Sequence, residues 1–530
     1  PQMLLCLHEE HAVAIAHGWA KVTGQPLAAI VHANVGLMHA TMAIFDAWCD
    51  RMPVLVLGAT GPLDETQRRP WVDWIHTARD QGALVRHYVK WDDQPASIAA
   101  AQESVMRAAQ IATTPPYGPV YVCLDAGLQE TKLDAVPRTP DVERFRAPAP
   151  PQPAPEQLAR AAEWLVQAKR PVILMGRVSR SEDDWRDRVA LAEHLGATVL
   201  TDARVGAAFP TDHPLHGPAS GFFPSAEAAA VLKSADVVLS LDWLDLGGTL
   251  RQAWGAENVD ARIIQASMDQ VVHNGWSMDY QRLAPADLYF LCSPDAVVAP
   301  LLDAVRARGG PARPSAAAPQ PPQAVDRGPG PITSAWLAHA LREATAGQPV
   351  SLLRLPSGWP VGAWEFRHPL DYIGFDGGGG LGSGPGIAVG AALALRHTGR
   401  LPVSVLGDGD YLMGLSALWT AANARIPLLM VVANNNSYLN DELHQERVAK
   451  ERGRPVENRW IGQRIADPEP DLALLARGMG VAAVGPVDRA ERLIDALTEA
   501  VDVVRQGTAC VVDVRVTGSY AWAVSSLLTR

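Results

Sequence analysis

Asp408, Asn435 and Ser437 are the residues whose types and spacing first suggest a chemistry. They lie in one stretch, residues 401–438, which reads LPVSVLGDGDYLMGLSALWTAANARIPLLMVVANNNSY. Asp408 offers a carboxylate, Asn435 an amide oxygen and Ser437 a backbone carbonyl. Oxygen donors of this kind suit Mg²⁺, which usually completes its octahedron with phosphate oxygens and water. Gly407 and Gly409 allow a backbone to come close to phosphates. The helix after Asp410 turns the positive end of its dipole toward their charge. With Tyr438 directly after the set, these residues predict a hard cation beside a diphosphate.

The neighbouring sequence supplies elements to position them. Val403–Leu406 is an apolar strand, Tyr411–Ala424 a helix and Leu428–Ala433 a second strand. Asn434 supports the turn that ends the second strand, and Asn435 takes the ligand position. In an open parallel sheet, that edge is where ligands bind.

A lone Gly-Asp-Gly is common in ordinary turns. Followed by the spaced pair Asn434-Asn435, it resembles the cofactor signature of thiamine diphosphate enzymes. The string LHEEHAVAIAHGWAKVTG, residues 7–24, resembles the start of their pyrimidine-binding domain. The resemblance implies that Glu9 touches N1′ of the cofactor's aminopyrimidine and promotes the imino form that removes the C2 proton. A carboxyl buried in such a cleft is expected to have a raised pKa. Glu10 then points toward the surface or a supporting position.

His32 ends the strand Leu27–Val31. The benzoylformate decarboxylase branch carries a histidine here that acts in proton transfer, whereas acetolactate synthases carry a Ser-Gly-Pro-Gly pattern that this chain lacks. His39, two helical turns on, lines the same cleft or packs at a subunit contact. Gly380 and Leu381 resemble the loop that supports the thiazolium, with Leu381 keeping the cofactor bent; Ser383 stands where that branch usually has phenylalanine. Trp359 or Trp364 would wall the pocket. Asp441, Glu442 and His444 either approach its mouth or begin a solvated helix.

Composition is compatible with this. The chain has 530 residues, 48% of them hydrophobic, and a net charge of -11. That length accommodates three α/β domains with parallel sheets, and that charge argues against a general nucleic-acid binder. Two proline-rich linkers, Arg146–Pro155 and Pro311–Gly330, divide the chain into a pyrimidine-binding domain at 1–145, a central α/β domain at 156–310 and a diphosphate-binding domain at 331–530. Leu4–Leu7 reads as a strand, and the resemblance implies a further strand and a substrate-side loop ahead of Glu9. Five scattered cysteines without a Cys-x-x-Cys suggest a cytoplasmic protein, and no apolar run reaches membrane-spanning length. The flavin arginines of acetolactate synthases are absent from Leu241–Asp245, so no flavin is expected.

The resemblance therefore implies a thiamine diphosphate- and Mg²⁺-dependent lyase. It would decarboxylate a 2-keto acid, aromatic or branched, with possible carboligation, and work as a homodimer or dimer of dimers. The alternatives are an acetolactate-synthase-like carboligase, a diketone C–C hydrolase, or a cofactor-binding protein without turnover.

Overall fold

Alternating apolar strands and amphipathic helices build three parallel sheets, each covered by helices on its faces. The computed structural model describes residues 3–219, 221–272, 283–309 and 330–517. In the first unit, helix α1 (Glu9–Thr23) precedes strand β1 (Leu27–Ile30), helix α2 (Ala33–Cys49), β2 (Val54–Thr60), a short helix α3 (Val72–His76), β3 (Asp92–Asp93) and β4 (Val120–Asp125). The sheet order is β1-β2-β4-β3. Gly24, at φ 67°, ends α1 in the left-handed conformation that glycine adopts at no steric cost.

The middle unit contains β5 (Pro171–Met175), β6 (Thr198–Thr201), β7 (Val237–Leu241), β8 (Arg262–Ala266) and β9 (Leu288–Phe290), ordered β6-β5-β7-β8-β9. The third contains β10 (Val350–Arg354), helix α4 (Ser383–Leu395), β11 (Leu401–Gly407), helices α5 (Asp408–Met413) and α6 (Ala417–Asn423), β12 (Leu428–Asn434), helix α7 (Leu439–Glu451), β13 (Ala482–Val487) and β14 (Ala509–Arg515). Its order is β10-β11-β12-β14-β13, which puts β11 and β12 side by side near the centre. Residues 146–154 carry no regular structure; the second proline-rich stretch, up to residue 329, lies outside the described residues.

Two local expectations are corrected. Leu4–Leu7 is not a strand: Leu4 and Cys6 pack onto the core of the third unit, Leu5 and Leu7 are exposed, and the Leu5 carbonyl accepts the Thr420 hydroxyl at 3.0 Å. The alternation there is one-sided packing on another domain without a pairing partner. The single helix expected over Tyr411–Ala424 is two, broken around Gly414. At the break Gly414 lies against Gly382 O and Pro385, each within 2.5 Å of where its Cβ would lie, so no side chain fits there.

The first and third units meet through α1 and α4. A Cβ at Gly18 would lie 2.0 Å from Ile387 O, and one at Gly390 would lie 1.9 Å from Ile15 O, so the two helices touch backbone to backbone. This crossing sets where Glu9 stands relative to the third unit. Gly390→Ala is expected to destabilise the chain by roughly 1–3 kcal/mol through overpacking. An unchanged midpoint in thermal unfolding would refute the tight crossing.

Candidate active site

The carboxyl ends of β11 and β12 bring Asp408 and Asn435 together on the N–H of Ser437. Asp408 is buried at the start of α5, and its Oδ2 accepts the Ser437 N–H at 3.1 Å. Asn435 Oδ1 accepts the same N–H at 3.0 Å. Asn434 turns inward, giving its amide to Asp513 at 2.9 Å and accepting the Asn436 N–H at 3.1 Å, which leaves Asn435 to face Asp408. Asn436 sits at φ 54°, a left-handed conformation in which asparagine is enriched, and this reverses the chain toward Ser437.

No basic side chain pairs with Asp408 among the described residues, and burial lifts its carboxyl to about 6. A buried carboxylate with backbone partners, an amide oxygen beside it and no countercharge is a donor set that fits a hard cation. Among the described residues, no three His, Cys, Asp or Glu side chains converge on a metal, so this set with its single carboxylate is the candidate.

The two glycines of the turn differ. The space above Gly407 is open, as an approaching phosphate needs, whereas a Cβ at Gly409 would fall 2.5 Å from the Tyr438 ring. Gly409 is thus needed for Tyr438 to pack onto the turn, and the open side of the turn lies above Gly407. Behind the turn, Ser437 donates its hydroxyl to buried Glu442 at 2.9 Å, and Arg459 Nε holds that carboxylate at 3.1 Å. Glu442 thus supports the turn and does not face a mouth.

The loop before α4 presents Leu381, exposed, beside Gly380. Gly380 is covered from below by Met42 of α2, and Ser383 closes the loop by donating its hydroxyl to Gly380 O at 2.8 Å. Asp410 turns away from the open side of the turn and accepts the Gly382 N–H at 2.8 Å. Trp359 and Trp364, expected as possible pocket walls, are buried in the core of the third unit.

In the first unit, Glu9 opens α1 and lies against the first turn of α2 at Gly36. His39 Nδ1 lies 3.1 Å from Glu9 Oε2. His8 stacks on His39 with ring centroids 4.8 Å apart. Burial raises the Glu9 carboxyl, but the His39 hydrogen bond and the backbone N–H at the helix start outweigh it, so the net shift is downward. The expected raised pKa is thus not found at Glu9, whose side chain is 24% exposed. It is found at Glu10, where burial and then the Asp410 charge push the carboxyl up. Burial, then His8, pulls His11 down to about 4, which leaves it neutral near pH 7.

His32 is the N-cap residue of α2, and its ring meets His76 edge-on at 5.2 Å. His76 ends α3, with Nδ1 2.7 Å from Val72 O. Asn34 holds this segment by donating to Ile75 O at 3.0 Å. His76 was not evident from the sequence, because its approach to His32 depends on how the segment carrying the exposed Trp71 and Trp74 folds back.

Three family models match the chain: the thiamine pyrophosphate enzyme N-terminal TPP binding domain at residues 1–94, the central domain at 158–276 and the C-terminal TPP binding domain at 356–514. The chain is 26% identical over 527 residues to benzoylformate decarboxylase of Pseudomonas aeruginosa, an alignment covering 92% of this chain and 87% of that protein. It is 23% identical to the acetolactate synthase large subunit of Corynebacterium glutamicum, covering 94% and 78%. The structure of a thiamine diphosphate-dependent 4-hydroxybenzoylformate decarboxylase from Rhodococcus jostii has the same fold, with a TM-score of 0.77, 24% identity, and 97% and 92% of the two chains covered. No helix among the described residues is long and apolar enough to cross a membrane.

Proposed function

We propose, because the chain belongs to the thiamine pyrophosphate enzyme family, that it binds thiamine diphosphate with Mg²⁺ and decarboxylates a 2-keto acid, aromatic or branched. The product is an aldehyde, or a hydroxyketone when a second carbonyl compound accepts the acyl unit. The turn at Asp408 carries this reading: a buried, unpaired carboxylate and the Asn435 amide oxygen converge on one N–H. Asp408, Asn435 and the Ser437 carbonyl would hold the cation, and the open face at Gly407 would receive the diphosphate. When bound, the cofactor supplies the electron sink that loss of CO₂ requires.

The chain's own residues orient and move protons. Glu9 would hold a proton at N1′ of the aminopyrimidine, and His39, bonded to Glu9, fixes that carboxylate and can exchange a proton with it. His32 would deliver a proton to the carbon that has lost CO₂. A histidine at this position favours decarboxylation over the synthase reading, and the likeness to benzoylformate decarboxylase supports the same choice. Leu381, exposed in its loop, would offer the cofactor an apolar surface.

The same reading makes the working unit a cytoplasmic homodimer or dimer of dimers. Exposed Leu7, Met38, Leu381 and Met413 lie beside His8, His39 and Gly382, so a second chain would cover apolar surface and the Glu9 end together. A fully active monomer in sedimentation would refute this assembly.

The function is tested by calorimetry of thiamine diphosphate in Mg²⁺, followed by CO₂ release from a panel of 2-keto acids. No binding, or binding with no release from any keto acid, would sink it. Glu9→Gln is expected to keep the fold but slow deuterium exchange at C2 of the bound cofactor by on the order of 10²-fold or more, the scale of one positioned acid–base group. An unchanged exchange rate would remove Glu9 from this role.

A further inference from the structure

The loop that carries Leu381 is rich in glycines with positive φ: Gly377 at 76°, Gly379 at 74° and Gly382 at 101°. Backbone of this kind has wide conformational freedom, so a fixed shape needs anchors from elsewhere. Two buried carboxylates supply them. Asp376 Oδ1 accepts the Gly379 N–H at 2.9 Å. Asp410 Oδ1 accepts the Gly382 N–H at 2.8 Å and the Gly384 N–H at 3.3 Å.

Both carboxylates face one guanidinium. Arg354, at the end of β10, is buried, with Nη2 2.6 Å from Asp376 Oδ2 and 3.4 Å from Asp410 Oδ2. Its guanidinium carbon lies 3.6 Å from the centre of the Phe375 ring, which fixes its plane. A Cβ at Gly384 would fall 2.4 Å from Asp410 Oδ2, so the glycine makes room for this carboxylate. Asp410 also lies in the same turn of α5 as Asp408. One short helix therefore carries the candidate cation ligand on one side and the loop anchor on the other.

We propose that Asp410 and Arg354 are positioning residues that hold the Leu381 loop in register with the turn at Asp408. The inference rests on the cofactor reading above. Releasing the anchor would leave the phosphate end of the cofactor held and let the ring end drift. A small misplacement of reacting groups costs on the order of 10²-fold in rate without a matching loss of affinity.

The test uses the full chain with Asp410→Ser, which removes the reach to the loop, and Asp410→Asn, which keeps an acceptor for its N–H groups. Without cofactor, hydrogen exchange read by mass spectrometry should be roughly tenfold faster at Gly382 and Gly384 in the serine variant, as expected for loss of a charge-assisted hydrogen bond. The asparagine variant should stay closer to wild type. With cofactor, the serine variant should lose on the order of 100-fold in kcat, while KM and the thiamine diphosphate Kd stay within about threefold.

Wild-type kcat in a folded serine variant would overturn the proposal. So would a cofactor Kd that weakens in step with kcat, because Asp410 would then be a cofactor ligand. If the serine variant does not fold, Arg354→Gln carries the same test, since it removes the one nitrogen that meets both carboxylates and the charge they share. Unchanged kcat there would equally overturn it. A wild-type chain that binds no thiamine diphosphate would refute the cofactor reading and leave the amide-exchange result standing on its own.

Discussion

Asp408→Ala is expected to weaken retention of thiamine diphosphate in magnesium buffer by on the order of 100-fold or more. Losing even a residue that only supports a metal ligand typically costs 10- to 100-fold, and Asp408 is the single carboxylate of its donor set. Asn435→Ala removes a neutral oxygen and should be milder. The Asp408 substitution should act in the opposite direction on the metal-free chain. Burial lifts Asp408 to about 6 in the folded state, against about 3.9 in an unfolded chain. Between these values the folded state binds the proton more tightly, so stability falls as pH rises through that window and stays low above it. The penalty is roughly 3 kcal/mol, a net figure in which the hydrogen bonds that the carboxylate accepts already offset part of the cost of burial. Metal-free Asp408→Ala should therefore melt higher than wild type at pH 7.5, and the difference should shrink at pH 4.5. Cation binding must expel the proton, so cofactor affinity of the wild type should strengthen as pH rises across the same window. Calorimetry showing an unchanged Kd for the alanine variant would end the assignment of Asp408 as a ligand.

The parts of the site built from neighbours along the chain are legible in the amino-acid sequence. β11, the Gly407–Gly409 turn, β12 and the Asn434–Asn435 end form one local unit, in which Asn434 bonds inward to Asp513 while Asn435 and Asp408 accept the same N–H. The features that escape a reading of the sequence depend on partners far along the chain. Leu4–Leu7 has strand-like alternation, but a strand exists only if another strand pairs with it, and these residues pack instead on the third unit. The break at Gly414 coincides with a close approach of Gly382 and Pro385 from the preceding loop and helix. Asp410 reads as part of a phosphate turn until Gly382, Gly384 and Arg354 are seen around it. The raised carboxyl is expected at Glu9 and found at Glu10 because a one-residue step along α1 buries Glu10, with Asp410 near it, and leaves Glu9 more open and bonded to His39.

His32→Ala is expected to separate the two outcomes open to this chemistry. His32 makes no side-chain hydrogen bond to the start of α2. Removing its ring therefore costs the helix little of the capping energy that a serine or aspartate there would provide. Asn34 still holds the α3 segment through Ile75 O, so His76 should keep its place when its ring neighbour is gone. The substitution is thus a test of chemistry more than of folding. Aldehyde release needs a proton at the carbon that has lost CO₂, and a positioned general acid is worth on the order of 10² to 10⁴ in rate. Transfer of the acyl unit to an added aldehyde forms a carbon–carbon bond at that carbon and needs no proton there. The alanine variant should therefore lose aldehyde release by about that factor while carboligation and cofactor Kd change far less. Both product rates are compared at one pH, with saturating thiamine diphosphate, in wild type and variant. If the ratio of aldehyde to hydroxyketone is the same in the two proteins, His32 is not the donor. His76, which meets it edge-on at 5.2 Å, and His39, on the Glu9 carboxylate, are then the next groups to replace.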